Sequence, residues 1–242
     1  MNNNLKLDTL IYASHCDDTQ TLRTDAILNF FQDLATEHAV ELETDYKTLK
    51  ERSNAFWVIS KVKFKKTGKI RQHDAVTLST WPIKPQAVRF IRDYKISGEN
   101  GEINGSSEWC VLDFDTMGLR RLDTVSYPAD MPHIEERASV SPFLRLREEV
   151  CEEDYSYTYK AGYSDIDVNG HVNNVVYSKM ALNTFTPEEF NSLNYNAFEI
   201  HFISQCYLDN EIKIYKKQVD NGVYIEGKIN DKSAFKCLFY NE

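Results

Sequence analysis

The chain carries the same order of elements twice, and this repeat limits the folds that it can adopt. In each copy a strand is followed by a polar loop, an apolar helix and a run of strands. When Asp17 is aligned with Asp167, Leu22 falls opposite Val172. A long helix beside a run of strands predicts an α+β unit in which an antiparallel sheet wraps around the helix. We therefore expect two such units in one chain.

Two hydrophobic periods define the elements of the first copy. Thr24 is the expected N-cap of a helix whose apolar stripe starts at Ile27, and His38 is expected at the edge of its buried face. From about Ala55 the period becomes two, which is typical of strands. The predicted strands of this copy are Thr9–Ser14, Phe56–Phe64, Asp74–Trp81, Ala87–Ser97 and Ser107–Asp115.

The second copy restarts after a stretch without a clear period. Residues 131–153, which hold prolines and charge runs, are predicted to connect domains 1–130 and 154–242, with a short helix near Pro142–Arg147. Asn173 or Asn174 is expected to cap a helix that continues from Val175, and Thr186–Glu189 forms a capping box for another. The predicted strands are Tyr155–Tyr163, Phe198–Tyr207, Glu211–Gln218, Val223–Ile229 and Ser233–Tyr240.

The polar loop of the second copy, residues 164–174, contains two carboxylates, three amides and an imidazole. Asn169-Gly170 is a strong turn signal, so a simple turn is one interpretation. A calcium loop is excluded because Val176 stands where a bidentate glutamate is required. A catalytic loop is the other interpretation, because the i, i+2, i+4 spacing of Asp167, Asn169 and His171 can direct alternate side chains toward one cavity. Spacing alone leaves the turn and the catalytic loop open.

A family resemblance favours the catalytic loop. The run Asp167-Val168-Asn169-Gly170-His171-Val172-Asn173-Asn174 resembles the D-x-N-x-H-V-N-N stretch of the fatty acyl-[acyl-carrier-protein] thioesterases of plants and bacteria. In that family a cysteine follows the histidine at a set distance, and Cys206, 35 positions after His171, matches it. The resemblance covers nearly the whole chain through weaker matches at Phe31–Ala35, Phe56–Val58, Thr80–Pro82 and Trp109–Asp113.

The resemblance implies a tandem (double) hot-dog fold and a thioester hydrolase. Residues 1–130 would shape the acyl-chain pocket and residues 154–242 would carry the catalytic loop. The reaction would release a free fatty acid from acyl carrier protein and so end chain elongation. The only prosthetic group would be the carrier's phosphopantetheine arm, with no metal or other cofactor. A hot-dog acyl-CoA thioesterase and a non-catalytic acyl-binding protein are the alternatives.

Two assignments of the site residues fit thioester hydrolysis. In the first, Asp167 activates a water that Asn169 holds, and His171 fixes the geometry. In the second, Cys206 is the nucleophile, His171 is its base and Asn169 orients the imidazole. The family places a glutamate before the cysteine, but this chain has Gln205, which cannot take a proton. We favour Asp167 with water.

Composition restricts location and partners. The longest apolar runs fall well short of the ~20 residues that span a bilayer, and the N-terminus lacks the features of a signal peptide. We therefore expect a cytoplasmic protein that does not use a membrane. The five cysteines are scattered, which favours neither a disulfide framework nor a zinc site. A fused pair of units has an internal partner already, and a homodimer of the chain is a candidate assembly.

The net charge of −9 and the pI of about 5.2 argue against nucleic acid as a partner. An acyl carrier protein is also acidic, so it would have to dock on a local basic patch. Lys61, Lys63 and Lys65 alternate with apolar residues and should line one face of a strand. That face is either simply solvated or a docking surface, together with Lys66, Lys69 and Arg71.

Overall fold

The computed structural model describes residues 3–128, 131 and 133–242. The chain divides into two compact units, Met1–Ser141 and Pro142–Glu242, here called the N-terminal and C-terminal units. This division falls inside the predicted connection 131–153. The predicted domain ends at residues 1 and 130 lie outside the described residues, as does Pro132 within the connection.

In its described residues, 3–128, 131 and 133–141, the N-terminal unit contains antiparallel strands and two α-helices. Its elements are β1 (Leu5–Leu10), α1 (Thr24–Glu41), α2 (Tyr46–Ser53), β2 (Ala55–Gly68), β3 (Ala75–Pro82), β4 (Phe90–Gly98), β5 (Gly101–Asp113) and β6 (Leu119–Arg120). The strands lie in the order β1-β3-β4-β5-β2, and β6 pairs with β5. Neighbouring strands are antiparallel throughout this order.

Helix α1 packs its apolar face on this sheet. The ring of Phe31 stacks on that of Tyr94 in β4, with centroids 4.3 Å apart. Gly105 in β5 permits this approach, since a Cβ atom there would lie 2.2 Å from the Phe31 ring. Ile27 and Leu34 are also fully buried. The helix therefore forms the centre of the core of this unit.

The C-terminal unit repeats the plan with a shorter helix. Its elements are β7 (Tyr155–Lys160), α3 (Asn174–Leu182), α4 (Pro187–Leu193), β8 (Ala197–Phe202), β9 (Glu211–Val219), β10 (Gly222–Ile229) and β11 (Lys232–Tyr240). The strands lie in the antiparallel order β8-β11-β10-β9-β7. Tyr177 of α3 packs edge-on against Phe235 of β11, with ring centroids 5.5 Å apart. The predicted α+β class, with an antiparallel sheet and a helix in each copy, is confirmed.

Two predictions about α1 are wrong. Thr24 is the first residue of the helix, and the N-cap is Arg23, which makes no side-chain capping bond. His38 is fully buried instead of lying at the edge of the core, because its Nδ1 lies 2.9 Å from the Arg92 guanidinium. Helix α2, capped by the Asp45 carboxylate, was not predicted because its mean hydropathy is low and Leu49 alone is buried.

Predictions about irregular segments also require correction. Residues 142–147, all of them described, form no helix, because Leu144 and Leu146 pack in extended backbone on a cluster around Tyr224. The predicted strand to Tyr207 stops at Phe202, so Gln205 and Cys206 lie in a loop. Among the described residues no helix is both long and apolar enough to cross a membrane.

The lysine face predicted on β2 is not a solvated surface. Lys63 is 1% exposed, and its Nζ donates to the Ser141 hydroxyl at 2.7 Å. Lys61 forms an ion pair with Glu108 at 3.4 Å. The strand also carries a bulge between Ile59 and Lys61, which changes the side that later residues face. The alternation in the sequence therefore does not produce a row of three exposed lysines.

Candidate active site

The predicted catalytic loop of the C-terminal unit is a tight hydrogen-bonded turn. The Asp167 N–H donates to the His171 carbonyl at 2.8 Å, and the Gly170 N–H donates to the Asp167 carbonyl at 3.0 Å. Gly170 has φ +79°, a region that glycine adopts without strain. Below the turn, Ile166 and Val172 form a β-bridge. The turn signal in the sequence is therefore correct, and the turn is also what presents the polar residues.

The Asp167 carboxylate organises the turn with one of its oxygens. Oδ1 accepts the Asn169 N–H at 2.8 Å and the His171 N–H at 3.4 Å. Across residues 3–128, 131 and 133–242, no donor lies within hydrogen-bonding distance of Oδ2. Asp167 is half-buried. One oxygen thus fixes the carboxylate, and the other is available to accept a proton.

Asn169 and His171 project from the same turn. Asn169 is exposed, whereas His171 is half-buried. The imidazole packs edge-on against the ring of Tyr207, with centroids 5.0 Å apart. The structure therefore brings Asp167, Asn169 and His171 together on one turn, and it adds an aromatic neighbour for the histidine.

The residues after the turn start helix α3. The Asn173 side chain accepts the Val175 N–H at 2.9 Å, which confirms Asn173 as the N-cap. The Asn173 carbonyl accepts the Val176 N–H at 2.9 Å. Two N–H groups of the first turn are thereby occupied. Within the part of the chain that the structure describes, the Asn174 N–H has no acceptor, so it is the donor of this turn that a ligand can use.

Cys206 lies beside the turn, but its side chain faces the core. The Val172 N–H donates to the Cys206 carbonyl at 2.8 Å, so the two segments are adjacent. The Cys206 side chain is 0% exposed, whereas Gln205 and Tyr207 on either side are exposed. Burial raises the pKa of the thiol above its usual value, and a weaker hydrogen bond from Tyr177 opposes this shift. The thiol is therefore protonated at neutral pH.

Gln205 is exposed on the side of the loop that also carries Tyr207. Its Oε1 accepts the Tyr207 hydroxyl at 3.3 Å. Glu199, the nearest preceding carboxylate in the sequence, is instead fully buried, where it accepts the Leu144 N–H at 2.9 Å and contacts His201 at 2.6 Å. Among the described residues no group of three or more His, Cys, Asp or Glu side chains is placed to hold a metal ion.

Tyr177 and Tyr207 are site neighbours that the sequence reasoning missed. Tyr177 occupies an apolar position of α3, and its hydroxyl accepts the Cys206 N–H at 2.9 Å. Burial raises its pKa. A tyrosine at a fully buried helix position is a detectable signal, because a buried hydroxyl requires a partner. Tyr207 carried no comparable signal, because its strand assignment was wrong.

The N-terminal unit contains the same turn without the amide and the imidazole. The Asp17 N–H donates to the Thr21 carbonyl at 2.9 Å, and the Leu22 N–H donates to the Ile70 carbonyl at 2.9 Å. Asp17 Oδ1 accepts the N–H groups of Thr19 and Thr21 at 2.9 and 3.0 Å. These bonds match those of the C-terminal turn, which confirms the predicted alignment of the two copies. Thr19 and Thr21 replace Asn169 and His171, so only the C-terminal turn carries the amide and the imidazole.

Comparisons with known proteins agree with this architecture. An acyl-ACP thioesterase of Bacteroides thetaiotaomicron has a TM-score of 0.89 and 21% identity, over 99% of this chain and 98% of the other. The 12:0-ACP thioesterase of Umbellularia californica has a TM-score of 0.85 and 14% identity, over 99% and 97%. At these identities the likeness shows the fold alone. The chain is a double hot-dog protein, as predicted.

Sequence comparisons give the family. Residues 4–127 match the acyl-ACP thioesterase N-terminal domain, and residues 148–239 match the acyl-ACP thioesterase C-terminal domain. The chain belongs to the acyl-ACP thioesterase family. Among curated relatives, the chloroplastic acyl-[acyl-carrier-protein] hydrolase FATB3 of Cuphea viscosissima is 22% identical over 84% of this chain and 51% of its own length. The chain thus spans about half the length of the curated relatives that it matches.

Proposed function

We propose that this chain is an acyl-[acyl-carrier-protein] thioesterase. It hydrolyses the thioester between a fatty acyl group and the phosphopantetheine arm of acyl carrier protein, and it thereby ends fatty acid synthesis on that carrier. The observation that carries the proposal is the turn that presents Asp167, Asn169 and His171 within the segment matched by the family's C-terminal domain. Membership of the family supports the carrier-bound substrate.

Asp167 is the general base of the proposed reaction. Its Oδ2 accepts a proton from a water molecule, and the resulting hydroxide adds to the thioester carbonyl carbon. Asn169 holds this water through its amide, while His171 fixes the geometry of the site. The C–S bond of the tetrahedral intermediate then breaks, and the leaving sulfur takes the proton that Asp167 holds. The products are the fatty acid and the free thiol of the carrier, and Asp167 is again a carboxylate. The fixed Oδ1 supports this role, since it holds the carboxylate in one orientation.

The start of helix α3 supplies the electrophilic assistance. A helix N-terminus stabilises negative charge through unpaired N–H groups and the helix dipole. Asn173 occupies the N–H groups of Val175 and Val176. We therefore assign the polarisation of the thioester oxygen to the Asn174 N–H.

The burial of Cys206 supports water as the nucleophile. A cysteine nucleophile must be a thiolate and must be accessible to the substrate. The Cys206 side chain is 0% exposed, and burial raises the pKa of its thiol. Both properties favour a structural role for this residue.

The remaining parts of the proposal concern the domains and the setting. Residues 1–130 shape the acyl-chain pocket, 131–153 connect the domains, and 154–242 carry the chemistry. The apolar core around α1, where Phe31 stacks on Tyr94 of β4, supports an apolar environment for the acyl chain in the N-terminal unit. The homodimer and the cytoplasmic location stay predictions. Sedimentation equilibrium tests the first, and cell fractionation tests the second.

A thiol-release assay tests the proposed function. The purified chain is mixed with acyl carrier protein that bears saturated acyl chains of graded length, and with the matched acyl-CoA esters. We expect free thiol and free fatty acid from at least one carrier substrate, at a higher kcat/KM than from its CoA ester. The Asp167→Asn variant serves as the blank.

Two outcomes would contradict the proposal. Faster hydrolysis of the CoA esters would indicate an acyl-CoA thioesterase. Tight binding of the acyl chain without release of thiol above the blank would indicate an acyl-binding protein.

A further inference from the structure

The Tyr177 hydroxyl bonds to the backbone on both sides of Gln205. It accepts the Cys206 N–H at 2.9 Å and donates to the Ser204 carbonyl at 3.4 Å. Tyr177 is 3% exposed, and its ring is held edge-on by Phe202 and Phe235 at 5.7 and 5.5 Å. The hydroxyl is therefore a fixed point between the two peptide groups that flank Gln205.

This contact restrains a loop that strand β11 holds only at its start, where the Ile203 and Ser204 N–H groups donate to the Ala234 carbonyl at 2.9 and 3.0 Å. Residues 203–210 form a loop after β8, so the ladder does not fix the backbone at Gln205. Besides Tyr177, the Val172 N–H holds the Cys206 carbonyl at 2.8 Å. Removal of the hydroxyl would leave this bond and the bond from the Ser204 N–H to the Ala234 carbonyl at 3.0 Å intact. It would release the Ser204 carbonyl and the Cys206 N–H, which belong to the two peptide groups that flank Gln205. The direction of the Gln205 side chain depends on that backbone and on the Tyr207 hydroxyl, which donates to its Oε1 at 3.3 Å.

The N-terminal unit shows that the fold does not require this hydroxyl. The position equivalent to Tyr177 in its helix is Ile27, which is fully buried and has no polar group. The equivalent backbone bond, from the Leu22 N–H to the Ile70 carbonyl, still forms at 2.9 Å. A buried hydroxyl costs desolvation unless it is paired. The copy that carries Asn169 and His171 thus has a polar group that the other copy does without.

We propose that Tyr177 is a positioning residue that holds Gln205 against the attacking water. The proposal rests on the thioester hydrolysis proposed above. Gln205 cannot take a proton, but its amide can accept from and donate to a water molecule while Asp167 Oδ2 removes the proton. Tyr177 acts only through the backbone at Gln205, and it touches neither the substrate nor the water.

A double-mutant cycle tests this inference. Tyr177→Phe keeps the buried ring and removes the hydroxyl. Tyr157→Phe is the matched control, because the half-buried Tyr157 of the same unit donates its hydroxyl to the Met180 carbonyl at 2.8 Å, away from the loop. Each change is made in the wild-type chain and in the Gln205→Ala chain, and kcat, KM and the melting temperature are measured with an acyl-carrier substrate.

We expect Tyr177→Phe to lower kcat about tenfold in the wild-type chain with little change in KM, since a small displacement of a positioned group has effects of this order. In the Gln205→Ala chain it should change kcat less than twofold. Tyr157→Phe should leave kcat unchanged in both. An equal loss of kcat in both backgrounds, or an unchanged kcat in the wild-type background, would overturn the proposal.

Amide hydrogen exchange separates this inference from the proposed function. If the wild-type chain releases no thiol from any carrier substrate, the proposed thioesterase activity is refuted. Exchange of the Cys206 N–H then still decides whether Tyr177 holds the loop. It should speed up in Tyr177→Phe and stay unchanged in Tyr157→Phe. Unchanged exchange in Tyr177→Phe would refute the positioning role independently of any activity.

Discussion

The imidazole of His171 packs edge-on against the ring of Tyr207, with centroids 5.0 Å apart and ring planes 63° apart. Tyr207 is itself anchored, because its N–H donates to the Asn210 side chain at 2.9 Å. Its hydroxyl donates to Gln205 Oε1 at 3.3 Å. One tyrosine thus contacts both the histidine of the turn and the residue that replaces the family's glutamate. Tyr207 therefore limits the motion of both side chains.

Tyr207→Ala should lower kcat about tenfold, because His171 loses the ring against which it packs. Tyr207→Phe keeps that ring and loses only the bond to Gln205, so its kcat should fall about two- to threefold. Tyr155→Ala is the control, since Tyr155 is similarly exposed in the same unit, at 45% against 48%, and packs on Tyr215 instead. Steady-state kinetics would measure the series. Equal losses in Tyr207→Ala and Tyr155→Ala would argue against a specific role for Tyr207.

Substitutions at Asp167 and Cys206 distinguish attack by water from attack by the cysteine. Asp167→Asn should abolish nearly all turnover, because the amide cannot accept a proton from water, and a positioned base contributes roughly 10²- to 10⁴-fold. Cys206→Ala should keep most turnover. Burial raises the pKa of the Cys206 thiol from 9.0, so a thiolate mechanism would accelerate only at alkaline pH. The pH profile of Cys206→Ala should therefore match that of the wild type.

Opposite results in these two variants would identify Cys206 as the nucleophile. In that case kcat would collapse in Cys206→Ala, and the wild-type rate would climb as pH rises toward the thiol pKa. Asn169→Ala is a useful companion, because both mechanisms require this amide. A lower kcat in Asn169→Ala would verify, for either mechanism, that the measured hydrolysis depends on this loop.

Gln205→Glu restores the residue that the family carries at this position. The side chain is exposed, and it lies beside the Tyr207 hydroxyl, so a carboxylate can be accommodated without repacking the core. A second group able to accept the proton should raise kcat, by roughly tenfold if it shares the role of base. Gln205→Ala should lower it. Kinetics of both variants across pH would measure the effect, and an unchanged kcat in each would place Gln205 outside the reaction.

The sequence predicted the turn well because short-range chemistry determines it. Asn169-Gly170 supplies the turn, Asn173 caps the helix, and the alignment of Asp17 with Asp167 identifies the repeat. Contacts distant in sequence were not predictable in this way. Lys63 is buried because its Nζ donates to Ser141, 78 residues further along the chain, and no local pattern encodes that bond.

In the candidate site, too, the features set by neighbouring residues were predictable and those set by residues distant in sequence were not. The residues of the turn itself could be named from their spacing and the family resemblance. The burial of Cys206 could not be predicted from the sequence. The strand predicted to reach Tyr207 ends at Phe202, so the direction of the Cys206 side chain is set by the loop that follows the strand. The second contact of Tyr177, to Ser204, depends on the packing of α3 against that loop. Only the three-dimensional arrangement brings these residues together.

The lowered pKa of Lys66 in β2 makes the free energy of unfolding depend on pH. Burial lowers its pKa from 10.5 to about 8; the charge of Lys69 lowers it a little further, and the carboxylate of Asp17 opposes the shift. Between these two pH values the unfolded chain holds a proton that the folded chain has released, so stability rises with pH across this window. Below about pH 8 both states are protonated, and the ammonium of the half-buried Lys66 then costs the folded state the most.

Lys66→Met should therefore stabilise the protein at neutral pH, by on the order of 1 to 3 kcal/mol, and the gain should shrink toward pH 10.5. Urea unfolding at a series of pH values measures the difference. Lys65→Met is the matched control, since it removes the same charge from the adjacent position, whose side chain faces the other side of the strand. A gain from Lys66→Met that is constant with pH, or that also appears in Lys65→Met, would mean that buried charge is not the cause.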